Sequence, residues 1–160
     1  MTAEIKRILL VEDAINDVEL TLSALEENHL ANEVVVCRDG EEALDYLYRR
    51  GVWRLRGEGN PTVVLLDLKL PKIDGLEVLA RIKKDPALRM IPVVMLTSSR
   101  EERDLVQSYE LGVNAYVVKP VDFHDFVNAL KEVGLFWAVI NQPPPGSADS
   151  HGQQSLATDV

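Results

Sequence analysis

The sequence contains little that would place the chain in a membrane or outside the cell. Cys37 is the only cysteine among the 160 residues, so no disulfide can form within the chain. No apolar run approaches the roughly 20 residues needed to span a bilayer, and the N-terminus lacks a signal-peptide pattern. Basic residues are also scarce, with 17 Lys and Arg against 26 Asp and Glu, and the resulting charge of −9 disfavours nucleic acid and membrane surfaces as partners. We therefore expect a cytoplasmic protein.

Length and composition indicate one domain with an ordinary hydrophobic core. Hydrophobic residues make up 46% of the chain and charged residues 27%, as in most globular proteins. The chain is too short for two ordinary domains. From Pro143 onward it is rich in proline and then in small polar residues, which favours disorder. We expect one domain over residues 4–141 and a disordered tail over residues 142–160.

Short apolar runs alternate with helical patterns five times along the chain. The runs that predict strands are Ile8–Val11, Val34–Cys37, Val63–Leu66, Ile91–Leu96 and Ala115–Val118. Continuous branched apolar residues are typical of strands that are buried on both faces of a parallel sheet. Because right-handed crossovers place the intervening helices on both faces, the pattern predicts an α/β fold with a five-stranded, doubly wound parallel sheet.

Three further signals concern the helices. Asp39 and Asp74 each precede a helical pattern and have a glutamate three residues later, as in a capping box. The helix after the fourth strand is expected to turn Leu105 and Tyr109 towards the core. Asp122 is expected to cap a final helix.

Polar side chains stand at the ends of four predicted strands. Glu12 and Asp13 follow the first strand, Asp67 the third, Thr97 the fourth and Lys119 the fifth. Because the carboxyl ends of parallel strands lie at one edge of a sheet, these side chains can converge. Crowded carboxylates repel one another unless a cation lies among them, and Mg²⁺ prefers such oxygen ligands. A lysine and a threonine hydroxyl complete a site that suits transfer of a phosphoryl group to a carboxylate.

These residues resemble a known family. The pairs Glu12-Asp13, Asp74-Gly75, Thr97-Ser98 and Lys119-Pro120, with Asp67 among them, appear in the order found in receiver domains of two-component response regulators. The resemblance covers roughly residues 5–133. It implies a flavodoxin-like sheet with the strand order 2-1-3-4-5.

The resemblance also implies a phospho-acceptor and a metal site. Asp67 would accept a phosphoryl group from the phosphohistidine of a sensor histidine kinase. Glu12, Asp13, Asp67 and the backbone carbonyl of Lys69 would hold Mg²⁺, some of them through water. Such a protein is a signalling phospho-acceptor rather than an enzyme, although receivers promote their own phosphoryl transfer and dephosphorylation.

Three other residues match positions that transmit the signal in this family. Thr97 and Lys119 would contact the phosphoryl group, and Tyr116 occupies the position of the aromatic switch. A shift of Thr97 would make room for Tyr116 to rotate from solvent into the core. Since no domain of comparable size follows the receiver, we expect output through protein contact or phosphorelay.

The segment from Leu135 to Ile140 carries six consecutive apolar residues, including Phe136 and Trp137. A helix without a polar face marks a partner surface when it lies at the protein surface. Together with the connector around Trp53, this segment resembles small stand-alone regulators that are linked to bacterial phytochrome kinases, whose C-terminal regions form homodimers. The alternative is that the segment packs on its own domain.

Two other classes share parts of the pattern. A Mg²⁺-dependent phosphatase with an aspartyl-phosphate intermediate would need a second carboxylate two residues after the nucleophile, where this chain has Lys69. A flavin-binding module of similar topology would need a phosphate-binding loop after the first strand. Glu12 and Asp13 place negative charge there instead.

Overall fold

A computed structural model describes residues 7–27, 33–57 and 59–119, together with positions 124, 125, 128 and 132. The five strands are β1 (Arg7–Val11), β2 (Glu33–Cys37), β3 (Val63–Leu66), β4 (Val93–Thr97) and β5 (Ala115–Val118). Four helices alternate with them in the described ranges, α1 (Ile15–Glu27), α2 (Gly40–Tyr48), α3 (Gly75–Lys84) and α4 (Glu102–Glu110), and a short 3₁₀ turn covers Gly51–Trp53. Residues 124, 125, 128 and 132 are also helical.

All five strands form one parallel sheet with the order β2-β1-β3-β4-β5. β3 is the central strand, because it pairs with β1 on one side and with β4 on the other, and all four of its residues are buried. The predicted fold class and strand order are therefore confirmed.

Two hydrophobic clusters cover the two faces of the sheet. Alternate strand residues such as Leu9 and Leu66 pack with Leu44 of α2 and Leu79 of α3. Their neighbours along the strands point the other way, where they pack with residues of α1 such as Leu25. Since successive strand side chains point to opposite faces, the continuous apolar runs supply both clusters at once.

Both predicted N-caps are present. A reciprocal capping box would also need each glutamate to accept a hydrogen bond from the N–H of its cap residue, but Glu42 binds Arg38 and Glu77 binds Arg81 instead. Asp39 accepts a hydrogen bond from the backbone N–H of Glu42 at 2.7 Å, and Glu42 accepts one from the backbone N–H of Arg38 at 3.0 Å. Asp74 caps α3 through the backbone N–H of Glu77 at 3.0 Å. Both helices thus begin at the residue that the caps predict.

The predicted orientation of α4 is wrong. Leu105 and Tyr109 are 38% and 52% exposed, whereas the buried residues of α4 are Asp104 and Ser108. On the inner face of α4, Asp104 accepts the hydroxyl of Ser99 from the loop between β4 and α4, and Ser108 donates to the carbonyl of Asp104 within the helix. Hydrogen-bonded polar residues, rather than Leu105 and Tyr109, therefore form the buried face.

Several predictions fall on residues that the structure does not describe. Asp122, Phe136 and Trp137 lie outside the described residues, as does the tail at 142–160. Among the described residues, no helix is long and apolar enough to cross a membrane.

Candidate functional site

Three carboxylates meet at the carboxyl edge of the sheet. Oxygen atoms of Glu12, Asp13 and Asp67 lie within 4.8 Å of one another. Glu12 and Asp67 are buried, being 2% and 8% exposed, while Asp13 faces solvent. β1 and β3 are adjacent in the sheet, so the residues that follow them are brought together by the strand pairing itself.

Asp67 is held by its backbone on two sides. Its N–H donates to the carbonyl of Val11 at 3.0 Å, which continues the ladder between β1 and β3 beyond the end of β3. Its carboxylate Oδ1 accepts a hydrogen bond from the N–H of Leu68 at 2.8 Å. The position and the orientation of the carboxylate are therefore both defined.

The start of α3 packs directly against this turn. The N–H of Gly75 donates to the carbonyl of Leu68 at 2.8 Å. A Cβ atom at Gly75 would lie 2.2 Å from the carbonyl oxygen of Asp67. Only glycine permits so close an approach of the helix to the strand end.

Lys119 extends from the end of β5 into the acidic cluster. Its backbone N–H donates to the carbonyl of Thr97 at 2.8 Å, which keeps β5 paired with β4 up to this point. The ammonium group contacts Glu12 and lies 3.0 Å from Asp17 Oδ2 and 3.8 Å from Asp67 Oδ2. The side chain is only 8% exposed, so these carboxylates replace most of its contact with water.

Burial and neighbouring charges shift the pKa values of both Glu12 and Lys119. Burial raises the pKa of Glu12 to about 7, Asp67 contributes to the rise, and the hydrogen bond from Lys119 opposes it. Burial acts to lower the pKa of Lys119, but the hydrogen bond to Glu12 and the charge of Asp67 outweigh it and raise the pKa. Lys119 is consequently protonated throughout the neutral pH range.

The donor set fits a small divalent cation. The site holds three clustered carboxylates with Asp17 beside them, and the ammonium group of Lys119 lies among them. Two oxygens bound to one Mg²⁺ at about 2.1 Å lie at most about 4.2 Å apart, and the carboxylate oxygens of the cluster lie within 4.8 Å of one another. A cation would offset the charge of Asp67, which adds to the effect of burial on the pKa of Glu12.

Thr97 ends β4 beside this cluster and is fully buried. Its Oγ1 accepts a hydrogen bond from the N–H of Ser99 at 3.2 Å. The hydroxyl of Tyr116, on β5, donates to the carbonyl of Ser99 at 3.1 Å. The ring of Tyr116 is half-buried and packs against the hydrophobic cluster that includes Met95. Thr97 and Tyr116 are thus connected through one residue.

The structure brings together the carboxylates of Glu12, Asp13 and Asp67 and the ammonium group of Lys119. The side chain of Lys69 is exposed, and the role expected for its backbone carbonyl as a metal ligand stays a prediction. The sequence analysis did not identify Asp17, which forms an ion pair with Lys119 in the structure. The sequence did carry a signal for Asp17, because it lies in the first turn of α1. That turn begins at the carboxyl edge of the sheet, where the acidic cluster lies.

Asp104 was also missed. It is 5% exposed, and its carboxylate accepts the hydroxyl of Ser99 at 2.5 Å. Its position next to Leu105 in a helix of mixed polarity offered no local sign that it points inward.

A doubly wound parallel sheet with an acidic cluster and a lysine at its carboxyl edge has the architecture of a phosphorylation-dependent signalling domain. A family model described as "Response regulator receiver domain" matches residues 8–131. The chain therefore belongs to the response regulator receiver family of two-component systems.

Three relatives give this membership more detail. Response regulator Rcp1 of Synechocystis is 42% identical over 132 residues, covering 82% of this chain and 88% of Rcp1. The structure of the bacteriophytochrome response regulator AtBRR is 65% identical, with a TM-score of 0.72, and the match covers 87% of this chain and 99% of AtBRR. The phosphorylated cyanobacterial phytochrome response regulator RcpA has a TM-score of 0.81 at 42% identity, covering 88% and 99% of the two chains.

Rcp1 has also been crystallised in a Mn²⁺-bound form, which has a TM-score of 0.80 and 40% identity to this chain and covers 87% of this chain and 99% of the Rcp1 chain. These relatives are stand-alone regulators, and this chain spans nearly their whole length. The resemblance to phytochrome-associated response regulators is thereby confirmed.

Proposed function

We propose that this protein is a single-domain response regulator in which Asp67 accepts a phosphoryl group from the phosphohistidine of a sensor histidine kinase. One observation carries the proposal: the buried carboxylate of Asp67 directly follows the central strand and faces the Lys119 ammonium at 3.8 Å. The phosphoryl group would travel to a carboxylate whose surroundings already hold positive charge.

The proposed step forms one bond and breaks one. An oxygen of Asp67 attacks phosphorus, the P–N bond of the phosphohistidine breaks, and the imidazole nitrogen leaves with the electron pair. Oδ1 is engaged by the N–H of Leu68, so Oδ2, on the side of Lys119, is the oxygen available for attack. Lys119 would stabilise the charge on the phosphoryl oxygens, where positioning and cations supply most of the catalysis.

Glu12, Asp13, Asp67 and the backbone carbonyl of Lys69 would hold Mg²⁺. When bound, the ion neutralises charge on the carboxylates and on the phosphoryl oxygens. The clustered oxygens support this assignment, as does the Mn²⁺-bound form of Rcp1. Mg²⁺ would also compete for Glu12 and release Lys119 towards Asp67.

Thr97 and Tyr116 would convert phosphorylation into a change of surface. Phosphorylation adds about −1.5 to −2 charges and strong acceptor oxygens. A charge-assisted hydrogen bond from Thr97 is worth about 1.5–3 kcal/mol, which shifts a two-state equilibrium roughly ten- to hundredfold. The altered surface would then signal through protein contact or phosphorelay.

Thr97→Ala should still be labelled at Asp67 but fail to reach the switched state. An amide spectrum identical to that of the phosphorylated wild type would refute this role of Thr97.

The decisive experiment measures intact mass after incubation with acetyl phosphate and Mg²⁺. The wild type should gain one phosphoryl group, and Asp67→Asn should gain none. Asp74→Asn is a matched control in the same loop, because asparagine also caps helices well, and it should be labelled like the wild type. Full labelling of Asp67→Asn would overturn the assignment of the acceptor.

The proposed phosphoryl donor is a histidine kinase of the phytochrome type. The support is the similarity to regulators that are named for phytochromes, at up to 65% identity. Transfer from a phosphorylated bacteriophytochrome kinase should be much faster than transfer from an unrelated histidine kinase at equal concentration. Equal rates would leave the phosphoryl-acceptor function in place and remove the phytochrome assignment.

We also propose a domain over residues 4–141 that forms a homodimer through Phe136 and Trp137, with a dispensable tail over residues 142–160. Each aromatic side chain can bury about 150–250 Å², worth at most roughly 4–6 kcal/mol before association costs. Phe136→Ala combined with Trp137→Ala should give a folded monomer that is still phosphorylated. Light scattering that shows a monomeric wild type would end this proposal, and an unfolded double variant would instead place both aromatics in the core of their own domain.

A further inference from the structure

We infer that Arg38 is a positioning residue for the proposed metal site, because it holds the loop that carries Asp13. The inference rests on the proposed binding of Mg²⁺ by Glu12, Asp13 and Asp67. Arg38 directly follows β2, and its Nη2 donates a hydrogen bond to the backbone carbonyl of Asp13 at 2.7 Å. The two residues are 25 positions apart in the chain, so the contact exists only in the folded protein.

Asp13 is the member of the carboxylate cluster that the sheet supports least. The N–H of Glu12 donates to the carbonyl of Cys37 at 3.0 Å, which extends the pairing of β1 with β2 by one residue. Asp13 lies beyond this bond and is exposed, whereas Glu12 and Asp67 are buried. The bond from Arg38 extends the connection between the two strand ends to Asp13 itself.

The hydrogen bond from Arg38 is compatible with a bound cation. Glu12 also supports the loop, since its Oε2 accepts the N–H of Ala14 at 3.2 Å, but the carboxylate of Glu12 is itself a proposed metal ligand. Arg38 instead binds a backbone carbonyl, so the carboxylate of Asp13 stays available to the cation. Groups that hold the ligand residues, rather than the metal, orient the ligands and increase metal affinity.

The backbone of Arg38 is itself held in place. Its N–H donates to Glu42 Oε1 at 3.0 Å, and the next residue, Asp39, accepts the N–H of Glu42 at 2.7 Å as the cap of α2. The guanidinium group thus extends from a fixed point at the start of a helix. Because this backbone is already ordered, less conformational entropy is lost when the side chain makes its hydrogen bond.

The same junction between β2 and α2 contacts the loop that carries Lys69. Gly40, two residues after Arg38, donates its N–H to the carbonyl of Pro71 at 3.5 Å. A Cβ atom at Gly40 would overlap the carbonyl oxygen of Ile73, so the start of α2 lies directly against this loop. The junction therefore contacts both loops that carry proposed metal ligands, and it helps to set the distance between them.

Charge and position have opposite effects at this site, which makes the role of Arg38 measurable. The positive charge of Arg38 repels a second cation, so its removal by itself would strengthen Mg²⁺ binding slightly. Loss of the hydrogen bond would free the loop that carries Asp13 and weaken Mg²⁺ binding. The sign of the change in affinity therefore separates a positioning role from a purely electrostatic effect.

The test is a titration of the full chain with Mg²⁺, followed in ¹⁵N amide spectra. Arg38→Ala should weaken Mg²⁺ binding about three- to tenfold, towards the low end of the effects of residues that support metal ligands, because Arg38 is exposed. Its urea midpoint should stay close to that of the wild type. A purely structural role would lower the midpoint and leave the Mg²⁺ affinity of the folded protein unchanged.

Two further variants at this position complete the series. Arg38→Lys retains the charge and can donate a hydrogen bond to the same carbonyl, so it should recover part of the lost affinity. Arg38→Gln removes the charge with a smaller truncation and should weaken Mg²⁺ binding like Arg38→Ala, which keeps the test available if Arg38→Ala does not fold.

Two comparisons show whether the effect passes through Asp13. In a double-mutant cycle, Arg38→Ala should change the affinity little when it is added to Asp13→Asn, because the ligand that Arg38 positions is already lost. Arg100→Ala is the matched control, since it removes an exposed positive charge from the loop after β4, at the same edge of the sheet. It should leave Mg²⁺ binding unchanged or slightly tighter.

The outcomes separate the inference from the proposed metal site. If the wild type binds Mg²⁺ at the carboxylate cluster but Arg38→Ala binds it equally or more tightly, the inference about Arg38 is overturned and the metal site stands. An undiminished loss of affinity on the Asp13→Asn background would also overturn it, since Arg38 would then act elsewhere. If Mg²⁺ shifts no amides around Glu12, Asp13 and Asp67 in the wild type, the proposed metal site fails and the inference fails with it.

Discussion

The ammonium group of Lys119 lies closer to Asp17 than to Asp67, at 3.0 Å against 3.8 Å. Asp17 belongs to the first turn of α1 and is 40% exposed, whereas Asp67 is almost enclosed. The lysine that faces the proposed phospho-acceptor is thus shared with a carboxylate that takes no part in the proposed metal site. Asp17 should compete with an incoming phosphoryl group for Lys119.

Asp17→Asn should bind beryllofluoride, a phosphoryl mimic, more tightly than the wild type in saturating Mg²⁺. A partly exposed ion pair is worth about 0.2–1 kcal/mol, so we expect an increase of up to about fivefold. The removed negative charge acts in the same direction. Titration calorimetry measures the affinity, with Glu19→Gln as the control because it removes a charge from an exposed position of the same helix. Weaker binding by Asp17→Asn would show that Asp17 supports the site instead.

Asp13→Asn should weaken Mg²⁺ binding at least about tenfold and slow phosphorylation in parallel, because it removes one of three clustered carboxylate ligands. Glu19→Gln again controls for the loss of one charge near the N-terminus of α1. Titration with Mg²⁺, followed by calorimetry, gives the affinity. An unchanged dissociation constant would exclude Asp13 from the metal site.

Gly75→Ala should destabilise the domain by about 1–3 kcal/mol, the usual cost of overpacking, and should slow phosphorylation. The added methyl group would meet the carbonyl oxygen of Asp67 at 2.2 Å, so α3 or the acceptor strand must shift. Gly57→Ala is the matched control, since no heavy atom lies within 4 Å of its added Cβ. Urea unfolding measures the stability, and equal midpoints for both variants would contradict the expected clash.

Arg56→Ala should cost about 3 kcal/mol of stability, because hydrogen bonds to charged groups contribute about 1.5–3 kcal/mol and cation–π contacts about 0.5–2. The guanidinium lies 4.1 Å from the centroid of the Tyr46 ring. It donates to the carbonyls of Tyr46, Leu47, Gly57 and Gly59. Arg54→Ala, at an exposed position, should change the free energy of unfolding by less than about 0.5 kcal/mol. Similar urea midpoints for the two variants would refute the anchoring role of Arg56.

Cys37 should resist thiol reagents at about pH 8 until the protein unfolds. It is fully buried, and burial raises its pKa, with the charges of Glu42 and Asp39 adding to the rise. Because the folded state retains the thiol proton at a higher pH than the unfolded chain, this group lowers the free energy of unfolding as the pH rises above about 8.5. The labelling rate should follow the unfolded fraction in a urea series, and rapid labelling of the native protein would contradict it.

Local sequence patterns are enough to predict the strands, their parallel arrangement and the edge at which the polar residues gather. Runs such as Val63–Leu66 are local signals, because a strand that is buried on both faces must be apolar throughout. The strand fixes the position of the residue that directly follows it. The positions of Asp67 and Lys119 at one edge of the sheet therefore follow from the order of residues along the chain. The same holds for Asp39 and Asp74, whose caps depend only on neighbours three residues away.

The partner that each polar group takes depends instead on the tertiary structure. The pairing of Asp17 with Lys119 joins residues 102 positions apart in the chain, and the inward turn of Asp104 depends on a hydroxyl presented by a loop outside its helix. The spacing of apolar residues predicted that the opposite face of α4 is buried. Such spacing reflects hydrophobic burial and carries no information about buried hydrogen bonds. Hydrogen bonds are directional and short-ranged, so the partners of Asp17, Ser99 and Asp104 follow only when the sheet has set the distances between them.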